Sequence, residues 1–248
     1  MNTQMNSHRG LDRVLALLMI FLVMLPSCSS QAQLLKNAKK MLGASGAGYT
    51  ESEAADGIRE ALVKGTGESV NLVSALDGYF GNPEIKIPFP EDAKNMESKL
   101  RAMGMGKKVD EAILSLNRAA EDAAHEAKPI FVNAITGMSI KDAVGIVRGG
   151  NNSATEYLRN TTTPGLKIKF QPVIKNSLDK VQATRYWSDL ISVYNKIPLV
   201  QKINPDLSAY VTGKAIDGLF VMIAREELRI RKDPLARTSD LLKKVFGN

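Results

Sequence analysis

The chain is 248 residues long, 44% apolar and only 6% aromatic, with a formal charge of +7 and a single cysteine. A lone cysteine excludes an internal disulfide and a thiolate metal cluster, so stability must come from packing. A basic balance would suit nucleic acid in a cytoplasmic protein, but the N-terminus points to export. There the charge serves solubility or faces anionic head groups, envelope polysaccharide or an acidic partner.

The first predicted element is an address. Arg9 and Arg13 precede the apolar run VLALLMIFLVML, Val14 to Leu25. That run is shorter than the ~20 residues of a bilayer span and suits the h-region of a secretory signal, so residues 1–27 are assigned to a signal peptide. Leu25-Pro26-Ser27-Cys28 then resembles a bacterial lipobox, in which Cys28 would be lipidated and become the new N-terminus. The competing route is cleavage after Ala32, with small residues at Ser30 and Ala32. The lipobox is preferred because the only cysteine stands at the end of the h-region. The expectation is an outer-membrane lipoprotein facing the periplasm, held to the membrane through lipidated Cys28; the alternative is a soluble periplasmic protein. Without Arg9, Asp12 and Arg13 the formal charge becomes +6.

Residues 28–49 combine a short amphipathic stretch with a Gly/Ala/Ser run and read as a tether. A single helical domain is expected over 50–248, about 200 residues, enough for one core. It opens on TESE, a capping box with Thr50 as N-cap and Glu53 three residues on, and Ile58, Ala61 and Leu62 follow at helical spacing. That helix runs toward Leu76, with Gly65 and Gly67 weakening its middle. Asp77 to Pro90 alternates Ile85, Ile87 and Phe89 with charged residues and prolines. Three prolines and two glycines make it a loop rather than a strand, and its apolar side chains are expected to plug the core rather than to form a lid.

Pro90-Glu91-Asp92 opens the next helix, which MGMGKK closes. An apolar stripe then runs from Val109 through Ala112, Leu116, Ala119, Ala120, Ala123 and Ala124 to Ala127, with Pro129 bending or restarting it. Its alanines let a neighbour approach closely, which predicts a central helix. Ser139 with Asp142, and Ser153 with Glu156, repeat the cap pattern. Thr163-Pro164, Asn204-Pro205 and Asp233-Pro234 each place proline after a capping residue, marking further helix starts. Tyr194 to Leu207 is irregular. The sum is an all-α, bundle-like domain of about eight or nine helices.

Several strings point to one family: NRAAEDAAHEAKPIFVNAI, YNKIPLV, NPDLSAYV, KAIDGLFVMIAREE and the ending IRKDPLARTSDLLKKVFG. Together they resemble the bacterial domain of unknown function 4197 over about Leu34 to Gly247. The resemblance implies an exported, helix-rich envelope protein, and it transfers no catalytic residue.

Candidate chemistry concentrates on the central stripe. If 107–128 is one helix, Glu121 and Asp122 lie four and three residues before His125, the only histidine outside the leader. One imidazole could then share a face with either carboxylate. Di-iron bundles need two such motifs plus inward glutamates from partner helices, and here there is one; a mononuclear site could recruit Glu226, Glu227 or Asp217. The competing expectation pairs Arg118 with Asp122 and Glu121 with His125 on a solvated face. If the helix is central, the polar stripe of Asn117, Arg118, Glu121 and Asp122 must instead form a paired network that fixes register.

Nothing else suggests catalysis. There is no Gly-x-Ser-x-Gly elbow, no cysteine placed for attack, and no glycine loop of phosphate-binding length. The basic segment Arg225 to Lys244 is interrupted by four acids, and Phe246 is the only aromatic beside it, so a base-stacking surface and nucleic acid are not expected. No cofactor is expected. The leading expectation is a non-enzymatic, lipid-tethered envelope protein that binds a protein or small apolar ligand or serves as a structural component. Two alternatives stand beside it: a metal-binding or hydrolytic bundle centred on Glu121, Asp122 and His125, and a carrier of a lipid-like molecule among the scattered methionines and aromatics.

Overall fold

The computed structural model describes residues 50–180, 183–200, 207–237 and 239–246. These residues are all-α. In chain order the helices are α1 (Glu51–Ser74), α2 (Lys94–Ala102), α3 (Gly106–Ala124), α4 (Ala127–Thr136), α5 (Ile140–Arg148), α6 (Ser153–Lys180), α7 (Ala183–Tyr194), α8 (Ser208–Lys232) and α9 (Asp240–Phe246). Short 3-10 turns at Glu91–Ala93 and Pro234–Ala236 lead into α2 and follow α8. The signal peptide, Cys28 and the tether lie outside the described residues, as does the Asn204-Pro205 helix start.

Local signals account for several helix ends. Thr50 and Glu53 form the expected capping box, each side chain bonding the other's backbone N–H. Ser139 accepts from the Asp142 backbone N–H at the head of α5. The Asp233 carboxylate accepts from the Leu235 backbone N–H, but the turn it starts is a single 3-10 turn rather than an α-helix. The stripe from Val109 divides, with α3 ending at Ala124 and α4 restarting at Ala127.

One expected start and one expected cap are corrected, although the helix expected at Ser153 does begin there. Thr163-Pro164 does not open a helix: α6 runs unbroken through it and holds both Pro164 and Pro172 in its interior. Both prolines lie on the exposed side of α6, where carbonyls left without an N–H donor can meet water. The preceding threonines bend inward to the helix, with the hydroxyls of Thr161, Thr162 and Thr163 donating to the carbonyls of Tyr157, Leu158 and Arg159. Ser153 does not supply the cap expected of it either; its hydroxyl donates to the Gly150 carbonyl, and the cap of α6 comes from α8.

α3 lies at the middle of the bundle, packed on α1, α2, α6, α7 and α8. Its alanines at 112, 119, 120, 123 and 124 are buried, and their small side chains allow that approach. One large core holds Tyr79, Phe89, Phe131, Phe170, Trp187 and Phe220 fully buried. Phe89 meets Trp187 edge-on at 4.9 Å, and Phe131 meets Phe220 at 5.9 Å. A smaller cluster of Ala61, Ile230, Ala236 and Leu242, with Phe246 against it, seats α9 on α1. Both clusters are built from residues 55–246, so this unit carries its own core, as an independently folding domain must.

Candidate functional site

The polar stripe of α3 is buried where it meets the segment 75–90. Tyr79, Ile85, Ile87 and Phe89 are all in the core, so the segment is the expected plug. Its backbone closes turns on itself, Gly78 to Ala75, Gly81 to Asp77, Asn82 to Tyr79, and Ile85 and Lys86 to Asn82, and α3 supplies partners for other groups of the segment. Asn117, fully buried, accepts from the Ile87 N–H at 2.8 Å through Oδ1 and donates from Nδ2 to the Ile87 carbonyl at 2.9 Å. That pair of bonds is what a neighbouring β-strand would offer; the remaining Nδ2 hydrogen goes to the Ile113 carbonyl. The amide is thereby satisfied.

Glu121, 4% exposed, does the equivalent one turn on. Its Oε1 accepts from the backbone N–H groups of Tyr79 at 3.1 Å and Phe80 at 3.2 Å. Its Oε2 accepts from Arg118 at 2.6 Å, and Arg118 reaches Asp77 at 2.8 Å with its other nitrogen. Asp77 sits at φ 64, a left-handed turn that aspartate tolerates better than most residues. The next residue must be glycine: a Cβ on Gly78 would lie 2.4 Å from the Leu72 carbonyl oxygen. Charge-assisted bonds to a carboxylate are stronger than neutral ones, so Glu121 pins the turn that launches the plug.

Across the plug, the Tyr79 hydroxyl donates to the Ala215 carbonyl of α8 at 2.6 Å. Burial, with the Glu121 charge adding to it, holds this phenol far above its usual range. Gly218 of α8 lets the ring in, since a Cβ there would stand 2.8 Å from Tyr79 Cε1 and 3.1 Å from Ile85 Cβ. Tyr210 donates its hydroxyl to the Pro88 carbonyl, and burial, helped by Glu91, pushes it up to about 12.

A second buried carboxylate lies outside the predicted stripe. Glu227 of α8 accepts from the backbone N–H groups of Ala154 and Thr155 at 3.0 and 2.9 Å and from the Thr155 hydroxyl at 2.8 Å. These are orphan donors of the first turn of α6, where a negative charge is favoured by the helix dipole. Arg231 closes the group, bonding Glu227 at 2.8 Å and the Ile146 carbonyl that ends α5. The sequence offered Glu227 only as a recruit to the histidine site. Its capping role could not be read locally, because the cap and the helix it serves are 73 residues apart.

The predicted trio Glu121, Asp122 and His125 is not brought together. Glu121 faces the plug. Asp122 is largely exposed and accepts from the Ser177 hydroxyl of α6, with Lys180 3.9 Å away. His125 is exposed at the C-terminal end of α3. Arg118 pairs with Glu121 and Asp77 rather than with Asp122, and the Glu121–His125 pair is not formed. Glu226 joins Arg229 on the surface and Asp217 joins Arg159, so neither extends the trio. Among the described residues no group of three or more His, Cys, Asp or Glu side chains converges as metal ligands would.

The apolar crevice between α1 and α8, lined by Ile58, Leu62, Ile223, Ile230 and Phe246, holds about 20 Å³, the space of one water. A larger groove of about 530 Å³ beside α6 has mixed walls, with Gln171, Lys175, Asp179, Thr184 and Ser208 alongside Pro172, Leu178 and Leu207. No single helix among the described residues is long and apolar enough to cross a membrane.

Residues 48–247 match the profile of a family described as a protein of unknown function, DUF4197. Neither a curated protein nor a solved structure matches the chain.

Proposed function

The chain belongs to the DUF4197 family, and from that premise we propose that it is a non-enzymatic envelope protein, tethered through lipidated Cys28, whose helical domain has a binding or structural role. The observation that carries the non-enzymatic part is the use made of the buried carboxylates. Glu121 and Glu227 both spend their oxygens on backbone N–H groups and an arginine. Groups this buried and this engaged leave little acceptor capacity for a substrate, and a general acid or base must lie within about 3 Å of the reacting proton. The tether reading is supported by Arg9 and Arg13, the apolar run and the placement of Cys28.

Two measurements test it. Cys28→Ala is expected to move the protein from the membrane to the soluble periplasmic fraction; unchanged fractionation would refute the anchor. Metal analysis of the purified protein and of His125→Ala is expected to find no stoichiometric metal in either. A metal present in the parent and lost in the variant would overturn the non-enzymatic reading in favour of the acid and histidine site. Native mass spectrometry addresses the carrier alternative, and the filled core predicts a mass without bound lipid.

A further inference from the structure

The outer face of α6 carries a run of cations with no acid among them. From Tyr157 to Leu178 the sequence contains no acidic residue, while it carries Arg159, Lys167, Lys169 and Lys175. Arg159 is accounted for by its ion pair with Asp217 and its stacking on Phe220 at 4.5 Å. The three lysines are exposed and make no ion pair with any described residue, in contrast to Lys180 at the end of the helix, which leans toward Asp122.

At the centre of this face stands Ile168, 72% exposed. Helical spacing places Thr161, Pro164, Gln171, Pro172 and Lys175 on the same side, within one or two turns, and all five are exposed. Lys167 and Lys169 flank the isoleucine to left and right. A single exposed isoleucine is unremarkable alone. Ringed by lysines that make no ion pair with a described residue, with the nearest acid along the helix, Asp179, one turn beyond Lys175 and bonded by the Thr184 hydroxyl, it is the arrangement an anionic bilayer surface fits: lysines at the phosphates, an apolar side chain between the head groups.

We propose that this face of α6 docks the domain onto an anionic lipid surface, with Lys167, Lys169 and Lys175 binding head-group phosphates and Ile168 inserting among them. The inference rests on the envelope location proposed above. A lipid surface complements both features of the face, the unpaired positive charge and the exposed apolar side chain. A soluble polyanion complements only the first.

The test uses the chain from Leu34 to Asn248, which lacks Cys28 but keeps the whole described core, so its outcome is independent of the anchor. Folding of every variant is checked by its thermal transition. The chain is expected to sediment with vesicles of phosphatidylglycerol and phosphatidylethanolamine, to release as salt rises, and to ignore phosphatidylcholine vesicles. Lys167→Gln/Lys169→Gln/Lys175→Gln is expected to weaken binding about a hundred-fold, taking each lysine near the surface at about fivefold. Ile168→Ser should weaken it several-fold without changing the salt dependence. Removing the same charge elsewhere, with the exposed set Lys107→Gln/Lys108→Gln/Lys141→Gln, should leave binding within about twofold.

Failure of the parent chain to sediment with the anionic vesicles overturns the proposal, as does equal loss in the two triple variants. If dextran sulfate binds as tightly as the vesicles and Ile168→Ser affects neither, the face is a polysaccharide site and the lipid assignment falls. Loss of the Cys28 anchor in cells with intact vesicle binding would sink the tether and leave this face standing.

Discussion

Glu121 shows how one side chain can stand in for secondary structure. A buried carboxylate is expensive unless it is fully paired, and here the pairing is with the two N–H groups that the plug cannot satisfy itself. Removing one partner leaves the others buried and unmet. Glu121→Ala is therefore expected to destabilise the protein by about 3 kcal/mol or more, and Asn117→Ala by about 1–3 kcal/mol, read as shifts in the urea midpoint at constant m-value. Tyr79 adds a pH signature. In the unfolded chain its phenol ionises near pH 10, whereas in the folded one burial keeps it protonated well beyond that. The unfolded state then binds fewer protons, so stability is full below about pH 10 and falls as pH climbs above it. Tyr79→Phe should lower stability at neutral pH by about 1 kcal/mol for the lost bond to Ala215 and flatten the alkaline decline, as followed by thermal melts across the pH range.

On the scale of the helix, α8 offers two glycines with opposite expectations. Either one replaced by alanine gains about 1 kcal/mol of helix propensity. A Cβ at Gly213 meets nothing within 4 Å, while one at Gly218 would collide with Tyr79 and Ile85. Gly213→Ala should therefore raise the melting temperature and Gly218→Ala should lower it, despite identical chemistry. Glu227→Ala is expected to cost about 3 kcal/mol and to unprotect the first turn of α6 in hydrogen exchange.

Elements were legible in the sequence to the extent that their determinants are local. The capping box at Thr50, the cap at Ser139 and the alanine stripe were read as the structure has them. Thr163-Pro164 misled because proline's usual place at a helix start was overridden by packing: α6 is held along its length by α3, α4 and α8. The candidate site was legible only in part. Asn117, Arg118 and Glu121 were correctly placed on one polar stripe, and the condition that a central helix would force them into a network is met. Their partners, at separations of 30 to 42 residues, carry no sequence signature, and Arg118 accordingly chose Asp77 and Glu121 over the i+4 neighbour.

The described residues are knit by one large core with a small satellite under α9. Trp187, the only tryptophan, reports on the large core through Phe89. Because α3 joins five other helices, unfolding followed by Trp187 fluorescence and by far-ultraviolet circular dichroism should give coincident transitions. Separate midpoints would mean that α9 or another part comes away first.

The way the plug is held also sets an order in time. The shape of residues 75–90 is stored elsewhere: in Asn117 and Glu121, which follow about 30 to 42 residues later, and in Ala215, which lies 136 residues beyond Tyr79. A chain emerging N-terminus first therefore carries Tyr79 and Ile85 without their α8 partners until Gly218 has appeared. Long-range closure of this kind slows folding, and the interval leaves a sticky apolar segment in need of shelter. For this protein the hazardous stage is its synthesis, since a segment that waits long for its partners is one that completes the core.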